Sequence, residues 1–580
     1  MAAGSMLTRT SSPSPLNRIR MTPTLRRLPA VLLAAAVALT SACSRRAPVE
    51  RPGPAPQRYR VVPWPQRVDA RPGAFTVNAG TRLVLSDPAS PELRAVAAFL
   101  SDYIRSAVGA KVSVSDSSDS LAQAGRNAIA LQLRADAAVP AEGYRLSVTP
   151  ESVTLTASKP AGLFRGVQTL RQLLPVRGEG GSAIPAVEIE DAPRFAYRGM
   201  HLDVGRHFFP ASFVKRYVDL LAMYKFNTFH WHLTEDQGWR IQIKRYPRLT
   251  EVGGCRKETQ VAKHRDPFIG DGTRYCGYYT QDEVRDVVAY AAARHVTIVP
   301  EIEMPGHSVA AIAAYPELGC RATAPEVRTK WGISDDILCP TEETFAFLEG
   351  VLTEVMELFP GERIHIGGDE APKKAWQESP EAQAVIRREG LKDEHELQSY
   401  FVRRIERFLN AHGRRLVGWD EIVEGGLSPT ATVMYWRDRP DAGVGVQGGI
   451  DPARVAVKQG NSVIMTPNQT LYFDRYQADS ASEPLAIGGL ATLRQVYDYD
   501  PIPSDFGPEE AKRVLGAQAN VWTEYMATPE HVEYMVLPRM IALAEVVWSP
   551  REARDWDSFT RRLPAQLKRL DALGVKYRAP

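Results

Sequence analysis

From residue 194 onward, the chain alternates short apolar segments with long amphipathic ones, and this repeat restricts the possible folds more than any other feature. Eight apolar segments have the length and composition of buried strands. Repeated strand and helix units over roughly 350 residues are typical of a closed parallel barrel. We therefore predict an α/β fold with a (β/α)8 TIM barrel over residues 194–550, closed by a last helix, His531–Trp548. The predicted strands are Arg198–Val204, Asn227–Leu233, Thr297–Ile302, Arg363–Ile366, Arg415–Trp419, Thr432–Trp436, Ser462–Thr466 and Leu515–Val521.

Two further segments flank the predicted barrel. Residues 58–190 mix strand-like and helix-like stretches, which predicts a small α+β domain. This segment has no cluster of acids, histidines or aromatic residues, so a structural role is the default interpretation. Residues 551–580 are predicted to form a C-terminal helical tail.

The first 42 residues have the three parts of a secretory signal peptide: arginines, the apolar run Leu28–Leu39, and small residues before Cys43. The run is shorter than the about 20 residues that span a bilayer. We predict that residues 1–42 are removed, with Met21 as a second candidate start. The expected location is outside the cytoplasm, as a periplasmic protein, an outer-membrane lipoprotein or a secreted protein.

The residues before Cys43 also resemble a bacterial lipoprotein cleavage site, although Thr40 stands where a larger aliphatic residue is usual. We predict lipidation of Cys43 and a Pro- and Arg-rich tether over residues 43–57, and expect membrane contact only through this lipid. Removal of the signal takes away five of the 71 basic residues and none of the 68 acidic ones, which leaves 66 against 68. Because the mature chain is near neutral, we expect no nucleic-acid partner.

The four remaining cysteines are an even number in a chain predicted to be exported, which favours two disulfides. Three pairings are open, and the pairings of neighbours, Cys255 with Cys276 and Cys320 with Cys339, each close a modest polar loop. A zinc site is the alternative, but the chain has no Cys-x-x-Cys sequence.

The fourth predicted strand runs through Gly367 and Gly368 into two adjacent acids, Asp369 and Glu370. Successive side chains of a strand point to opposite faces, so both acids can face one pocket only if the backbone leaves strand geometry, which glycine permits. Two acids at a strand exit indicate acid/base catalysis, whereas two solvated acids after a buried strand are the alternative. Further acids, a histidine and aromatic residues follow the other strands: Glu235, Asp236, His307, Trp419, Trp436, Tyr472, Asp474, Trp522 and Glu524.

Acids together with tryptophans at the catalytic end of a barrel predict a sugar pocket, because pyranose rings present apolar faces to aromatic walls while their hydroxyls need polar partners. A metal-dependent amidohydrolase is the rival interpretation, since His230 and His232 share one face of the second strand. That rival needs further basic ligands at strands four to six, where the chain has Asp369, Glu370 and Trp419. We therefore expect hydrogen-bonded packing of both histidines near the barrel mouth, without metal or cofactor.

Six motifs lie at or near the ends of the predicted strands: RGMHLDVGRHF (198–208), FHWHLTEDQGWR (229–240), PEIEMPGH (300–307), HIGGDE (365–370), GWDEI (418–422) and ANVWTE (519–524). Together, and in this order, they resemble glycoside hydrolase family 20, whose best-known members are β-N-acetylhexosaminidases. The resemblance covers about residues 58–550, including the small preceding domain.

The resemblance implies an exo-acting retaining hydrolase that removes a terminal β-linked N-acetylglucosamine or N-acetylgalactosamine, with the substrate's own acetamide as nucleophile. By position in HIGGDE, Glu370 would be the general acid and then the base, and Asp369 would hold the acetamido N–H. Tyr472 would hydrogen-bond the attacking amide oxygen. The resemblance further implies that Trp419, Trp436 and Trp522 enclose the sugar, that Arg198, Asp474 and Glu524 bind its hydroxyls, and that His307, Glu235 and Asp236 support Glu370.

Two departures from the family pattern stand out. Many members carry a further tryptophan where this chain has the segment 487–493, so we expect the aromatic wall at the outer edge of the pocket to be missing or rebuilt. Glu235 replaces a frequent aspartate. The expected partners are β-N-acetylhexosaminides such as chitin fragments, glycoprotein glycans or cell-wall sugars. A non-catalytic carbohydrate-binding surface lipoprotein is the alternative from another class. The oligomeric state cannot be inferred from the sequence.

Overall fold

The computed structural model describes residues 58–114, 126–263, 267–438, 451–479, 481 and 483–580. The predicted signal peptide, Cys43 and the whole predicted tether lie outside these residues. Within the described part of the chain, no helix is both long and apolar enough to cross a membrane.

A mixed sheet of seven strands forms the small N-terminal domain, with two helices packed against it. The strands are β1 (Arg67–Thr76), β2 (Arg82–Leu85), β3 (Ser113–Val114), β4 (Ala128–Leu133), β5 (Tyr144–Val148), β6 (Ser152–Ala157) and β7 (Ala183–Asp191), in the order β1-β7-β5-β6-β4-β2-β3. The helices are α1 (Pro91–Val108) and α2 (Pro160–Leu173). Sequence analysis missed the long edge strand β1, because only one of its ten residues is buried and such a strand lacks a clear apolar alternation.

The closed parallel barrel confirms the predicted fold class. Its eight strands lie within two residues of the predicted bounds, and they follow one another around the barrel in chain order. They are β8 (Tyr197–Asp203), β9 (Thr228–His232), β14 (Thr297–Met304), β15 (Arg363–Gly367), β16 (Arg415–Trp419), β17 (Thr432–Tyr435), β18 (Ser462–Met465) and β19 (Val514–Ala519). Two short hairpins, β10 (Thr234–Glu235) with β11 (Gly238–Trp239) and β12 (Cys255–Arg256) with β13 (Tyr275–Cys276), occupy the loop after β9.

Helices cover the outside of the barrel and its loops. They are α3 (Ala211–Met223), α4 (Arg248–Glu251), α5 (Gln281–Ala292), α6 (Val309–Ala314), α7 (Glu342–Leu358), α8 (Lys374–Glu378), α9 (Pro380–Glu389), α10 (Glu394–Ala411), α11 (Pro452–Lys458), α12 (Asn468–Leu471), α13 (Leu493–Asp498), α14 (Pro508–Ala511), α15 (Pro529–Val536), α16 (Arg539–Trp548) and α17 (Trp556–Ala572). The single closing helix predicted over His531–Trp548 is wrong, since Pro538 separates α15 from α16. Proline has no N–H to donate and its ring obstructs the preceding turn.

A half-buried carboxylate joins the small domain to the barrel. Glu142 accepts hydrogen bonds from Arg165 of α2 at 3.0 Å and from Arg198 of β8 at 2.6 Å. Nearby, Asp191 of β7 accepts from Lys225 at 2.9 Å. The four groups other than Glu142 are buried, and all five are paired, as the cost of removing a charge from water requires. The two domains therefore meet through a fixed set of ion pairs.

Both disulfides pair neighbouring cysteines. Cys255 is bonded to Cys276 and Cys320 to Cys339. This confirms the predicted pairing, and the zinc alternative is wrong because all four sulfurs are in disulfides. The second disulfide closes a loop that includes Trp331, which is almost fully buried.

Candidate active site

A polar cavity of about 170 Å³ opens at the carboxyl ends of the barrel strands. This is the end at which TIM barrels carry their catalytic residues. Its walls combine acids, arginines and aromatic rings, and most of the residues predicted from the sequence are among them. The lining residues are Arg206, Glu235, His307, Asp369, Glu370, Trp436, Asn468, Tyr472, Asp474, Arg475, Ile487, Trp522 and Glu524.

The backbone after β15 turns both acids toward this cavity. Gly367 and Gly368 have φ angles of 68° and 92°, and Glu370 itself has a φ of 43°. A Cβ atom on Gly367 would lie 1.7 Å from Oε2 of Glu303, so neither the conformation nor the space admits a side chain there. The glycines therefore allow the departure from strand geometry that the sequence predicts, and Asp369 and Glu370 line one cavity.

His307 contacts both acids from the loop after β14. Its Nε2 atom lies 3.5 Å from Oε2 of Glu370 and 3.7 Å from Oδ2 of Asp369. Its Nδ1 atom is 2.8 Å from Oε1 of Glu235. His307 also has a positive φ, 48°, so both residues of the His307–Glu370 contact adopt a backbone conformation that non-glycine residues avoid. Such strained residues cluster at active sites.

Asp369 combines a buried position with an oxygen that has no partner. Burial raises the pKa of Asp369 to about 7, although the charge of His307 opposes the rise. Its Oδ1 atom forms no hydrogen bond. A buried acceptor without a donor is costly, so this oxygen is suited to receive an N–H or O–H group of a ligand.

Aromatic rings form one side of the cavity. Trp436 and Tyr472 lie nearly parallel with ring centroids 6.1 Å apart, and Trp522 lies 6.2 Å from Tyr472. The indole N–H of Trp436 donates to Glu421 at 2.9 Å, which fixes the ring. Trp419 is only 1% exposed and packs 5.7 Å behind Trp522. It therefore supports the wall from the barrel interior and does not line the cavity.

The predicted substrate contact of Arg198 is wrong. This residue lies near the start of β8 and is fully buried, where its guanidinium binds Glu142 and the backbone oxygens of Phe195 and Lys225. Of the two arginines in this sequence motif, the one that lines the cavity is Arg206, which follows the same strand. Its Nη2 atom lies 3.2 Å from Glu235. The signal for Arg206 was its position beyond the strand end, where barrel enzymes place functional residues.

Two acids on the far side of the cavity also have unpartnered oxygens. Oδ1 of Asp474 and Oε2 of Glu524 form no hydrogen bond although both are buried. Burial and the nearby charge of Glu524 raise the pKa of Asp474 to about 7. Arg475 and Asn468, which sequence analysis missed, line the cavity beside them. This side of the cavity thus offers acceptors and donors for sugar hydroxyls.

Two further positions noted in the sequence lie in different places, one at the rim of the cavity and one behind it. Ile487, the first residue of the segment 487–493, lines the cavity and is 44% exposed, so an aliphatic side chain forms the rim there. Asp236 lies behind the cavity, where it accepts from the backbone N–H of Val309 at 3.1 Å and pairs with Arg328. Asp236 therefore fixes the loop and has no direct contact with the cavity.

Histidines and acids approach one another closely enough in three places to hold a metal ion, within the part of the chain that is described. The groups are His201, His230 and Glu301; His232, Glu235 and Glu303; and Glu235, Asp236 and His307.

Their hydrogen bonds argue against ligation. Both ring nitrogens of His232 face carboxylates, at 2.5 Å from Glu301 and 3.1 Å from Glu235, so both carry protons. Nδ1 of His201 accepts from the backbone N–H of Val521, which places the proton of a neutral ring on Nε2. Nδ1 of His230 similarly faces the amide nitrogen of Gln518 at 3.0 Å. These rings act as hydrogen-bonding groups inside the barrel, deeper than the mouth position that the sequence suggested.

Comparison with known families agrees with this geometry. Residues 195–551 match the model of "Glycosyl hydrolase family 20, catalytic domain", and residues 58–192 match that of "Glycosyl hydrolase family 20, domain 2". The chain belongs to glycosyl hydrolase family 20. The resemblance seen in the six sequence motifs is thereby confirmed.

Similar proteins are known in both sequence and structure. The chain is 43% identical over 549 residues to "Beta-hexosaminidase" of Porphyromonas gingivalis, which covers 93% of this chain and 67% of that relative. It is 32% identical to "Beta-N-acetylhexosaminidase" of Cellulomonas fimi, over 90% of this chain and 96% of the relative. The solved beta-N-acetylhexosaminidase of Streptomyces coelicolor superposes with a TM-score of 0.76 at 34% identity, over 90% of this chain and 98% of that one. A mutant Streptomyces plicatus beta-hexosaminidase in complex with the product GlcNAc gives a TM-score of 0.77 at 36% identity, over 92% and 98% of the two chains.

Proposed function

We propose that this family 20 enzyme is an exo-β-N-acetylhexosaminidase that releases terminal non-reducing β-linked N-acetylglucosamine or N-acetylgalactosamine with retention of configuration. The observation that carries the proposal is the meeting of Asp369, Glu370 and Tyr472 in one small cavity. A cavity of about 170 Å³ has room for little more than one sugar ring, which suits removal of a single terminal residue. Family 20 enzymes differ from the usual pair of catalytic carboxylates because the substrate supplies the nucleophile.

The first step requires one proton donor and one oriented amide. Glu370 gives its proton to the glycosidic oxygen as the bond from that oxygen to C1 breaks. The acetamide oxygen of the substrate attacks C1 and forms an oxazolinium ring, and Asp369 accepts the amide N–H. The orphan Oδ1 atom of Asp369 is available for this hydrogen bond.

Tyr472 holds the attacking oxygen. Burial, with the nearby charges of Asp474 and Asp369, keeps the pKa of Tyr472 well above its ordinary value, so its hydroxyl stays neutral and can donate. In the second step Glu370, now a carboxylate, takes a proton from water as the water oxygen attacks C1. The oxazolinium ring opens, the acetamide is regenerated, and Glu370 is protonated again.

The remaining groups account for substrate selection. Asp474, Glu524 and Arg206 surround the position of the sugar hydroxyls, and Trp436 and Trp522 cover the ring. Sites built to hydrogen-bond a hydroxyl reject analogues that lack it, because the buried groups then stay unpaired. The natural substrates on this proposal are chitin fragments, glycan ends or cell-wall sugars outside the cytoplasm, with Cys43 as the lipidated anchor.

The direct test compares a chromogenic β-N-acetylglucosaminide with the β-glucoside that lacks the acetamido group, each with and without a chelator. Turnover of the acetamido substrate alone, unchanged by the chelator, supports the proposal. Equal turnover of both substrates would indicate a nucleophile on the enzyme. Binding of N-acetylglucosamine without any turnover would favour the carbohydrate-binding alternative, and activity lost on chelation would favour the amidohydrolase.

A further inference from the structure

A chain of alternating carboxylates and imidazoles runs from the barrel interior to the cavity. Oε2 of Glu301 lies 2.5 Å from Nδ1 of His232, and Nε2 of His232 lies 3.1 Å from Oε2 of Glu235. Oε1 of Glu235 then lies 2.8 Å from Nδ1 of His307, whose Nε2 is 3.5 Å from Glu370. The first four residues are buried, so water does not interrupt the chain.

Each imidazole of this chain faces a carboxylate on both sides and carries a positive charge. Burial opposes the charge of His232, but Glu301 and Glu235 outweigh it and raise the pKa of His232 to about 10. Glu235 and Asp369 likewise raise the pKa of His307 well above its ordinary value against the effect of burial. Burial alone would raise the pKa of Glu235, yet Arg206 and His307 hold it well below its usual range. Opposite charges therefore alternate along the chain.

We propose, resting on the function above, that His232 and Glu301 are positioning residues that set the charge balance around His307 and so the pH range in which Glu370 delivers its proton. His232 and His307 both bind Glu235, one at each oxygen, so a change at His232 alters the acceptor that holds His307. The charge of Glu301 therefore acts on the cavity through the hydrogen-bonded rings of His232 and His307. Such coupled charges shift protonation at a distance because the interior screens them poorly.

Other titratable groups surround the two rings from every neighbouring element. Those facing His232 are Asp203 and His201 of β8, His230 of β9, Glu303 of β14 at 3.9 Å, and His365 of β15 through their common partner Glu301. Those facing His307 are Glu303, Asp369 and Glu370, with Asp236 beside Glu235. Burial lowers the pKa of His201 well below its ordinary value and that of His230 to about 4. Among the three histidines that approach Oε2 of Glu301, His232 is thus the cation, while His365 approaches the other oxygen, Oε1, at 2.7 Å.

The proposal predicts opposite shifts for two charge deletions. His232→Gln removes a positive charge, so nearby groups hold protons to higher pH and the alkaline limb of kcat/KM moves up by about half a pH unit or more. Glu301→Gln removes a negative charge and moves the same limb down by a similar amount. If His232 and Glu301 served only the fold, either substitution would lower the activity at every pH, because less of the enzyme would be folded. The midpoint of the alkaline limb would then stay in place.

His230→Gln is the matched control. His230 lies on the same strand as His232, is equally buried and approaches the same oxygen of Glu301 at 3.1 Å, but it is neutral and bonds Gln518 in place of Glu235. The alkaline limb should stay where it is in the wild-type enzyme. A shift in the control equal to that of His232→Gln, or no shift in either charge deletion, would overturn the proposal.

A measurement on the wild-type protein keeps the test independent of variant folding. ¹⁵N NMR of the histidine rings between pH 5 and 9 should show His232 protonated on both nitrogens throughout this range. A neutral His232 at pH 7 would refute the charge chain. If the wild type fails to hydrolyse the acetamido substrate, the proposed function fails, whereas this NMR result still decides the charge of His232.

Discussion

The replacement Glu142→Gln tests whether Arg198 serves the fold and not the substrate. The variant keeps the shape of the side chain but leaves Arg165 and Arg198 as buried cations without a counter-ion. Burial alone would raise the pKa of Glu142, but the two guanidinium groups lower it to about 2 from an ordinary 4.5. A shift of that size corresponds to about 3 kcal/mol of unfolding free energy at pH 7.

The pH dependence follows from the sign of this shift. A lowered pKa in the folded state means that the stabilisation is complete above the unfolded value of 4.5 and is lost as the pH falls toward about 2. The difference between wild type and variant should therefore be constant from pH 8 to about pH 5 and should narrow below that. For a chain of roughly 500 ordered residues unfolding together, about 3 kcal/mol lowers Tm by about 3 °C.

Urea unfolding followed by tryptophan fluorescence measures the loss of unfolding free energy in Glu142→Gln. Steady-state kinetics of this variant should show an unchanged KM. Glu190→Gln is the control, because Glu190 is exposed and lies 3.8 Å from Arg67 and 3.6 Å from Arg145, in pairs that contribute little. Unchanged stability of Glu142→Gln together with a raised KM would refute the reasoning and indicate that Arg198 contacts the substrate.

Four further outcomes are expected. Glu370→Gln should lower kcat about 10²- to 10⁴-fold while product binding persists, and a leaving group that needs no proton should restore the rate; ordinary glycosides cleaved at wild-type rates would contradict this. Because burial raises the pKa of Asp369 to about 7 and its role needs the anion, wild-type kcat/KM should rise with pH through this value, and the residual activity of Asp369→Asn should lack that limb. Gly367→Ala should lose activity and about 1–3 kcal/mol of stability, since its Cβ would meet Glu303; a fully active, stable variant would refute the assignment. Arg206→Lys should raise KM about tenfold at unchanged Tm, because lysine cannot reproduce the planar guanidinium contact, and an unchanged KM would exclude substrate contact.

The barrel could be predicted because each strand is a short apolar run that can be recognised from residues adjacent in the sequence. The motif RGMHLDVGRHF (198–208), which includes most of the first strand of the barrel, shows the limit of such local reasoning. Arg198 and Arg206 stand eight positions apart around one strand, and a motif match alone does not say which end of β8 each occupies. Strand direction decides it: Arg198 at the start of β8 faces the small domain, and Arg206, beyond Asp203, faces the cavity. A prediction restricted to positions past the strand ends would have chosen Arg206.

Two other features needed the folded chain. The charge on His232 depends on Glu301 and Glu235, which approach it from different strands, so no sequence spacing reports it. The closing helix looked continuous because its apolar period persists across Pro538, and only the proline itself marked the break. The acids at the end of β15, in contrast, were found because their glycines, their spacing and their strand are contiguous in sequence.

The backbone conformation of Glu370 means that the proposed catalytic acid lowers the stability of the folded protein. A glutamate held at a φ of 43° costs on the order of 1–3 kcal/mol relative to a residue free to adopt that conformation. Glycine at this position would relieve the strain. A Glu370→Gly protein should consequently melt at a higher temperature than the wild type, and selection for thermal stability alone would discard the residue to which we assign the proton transfer.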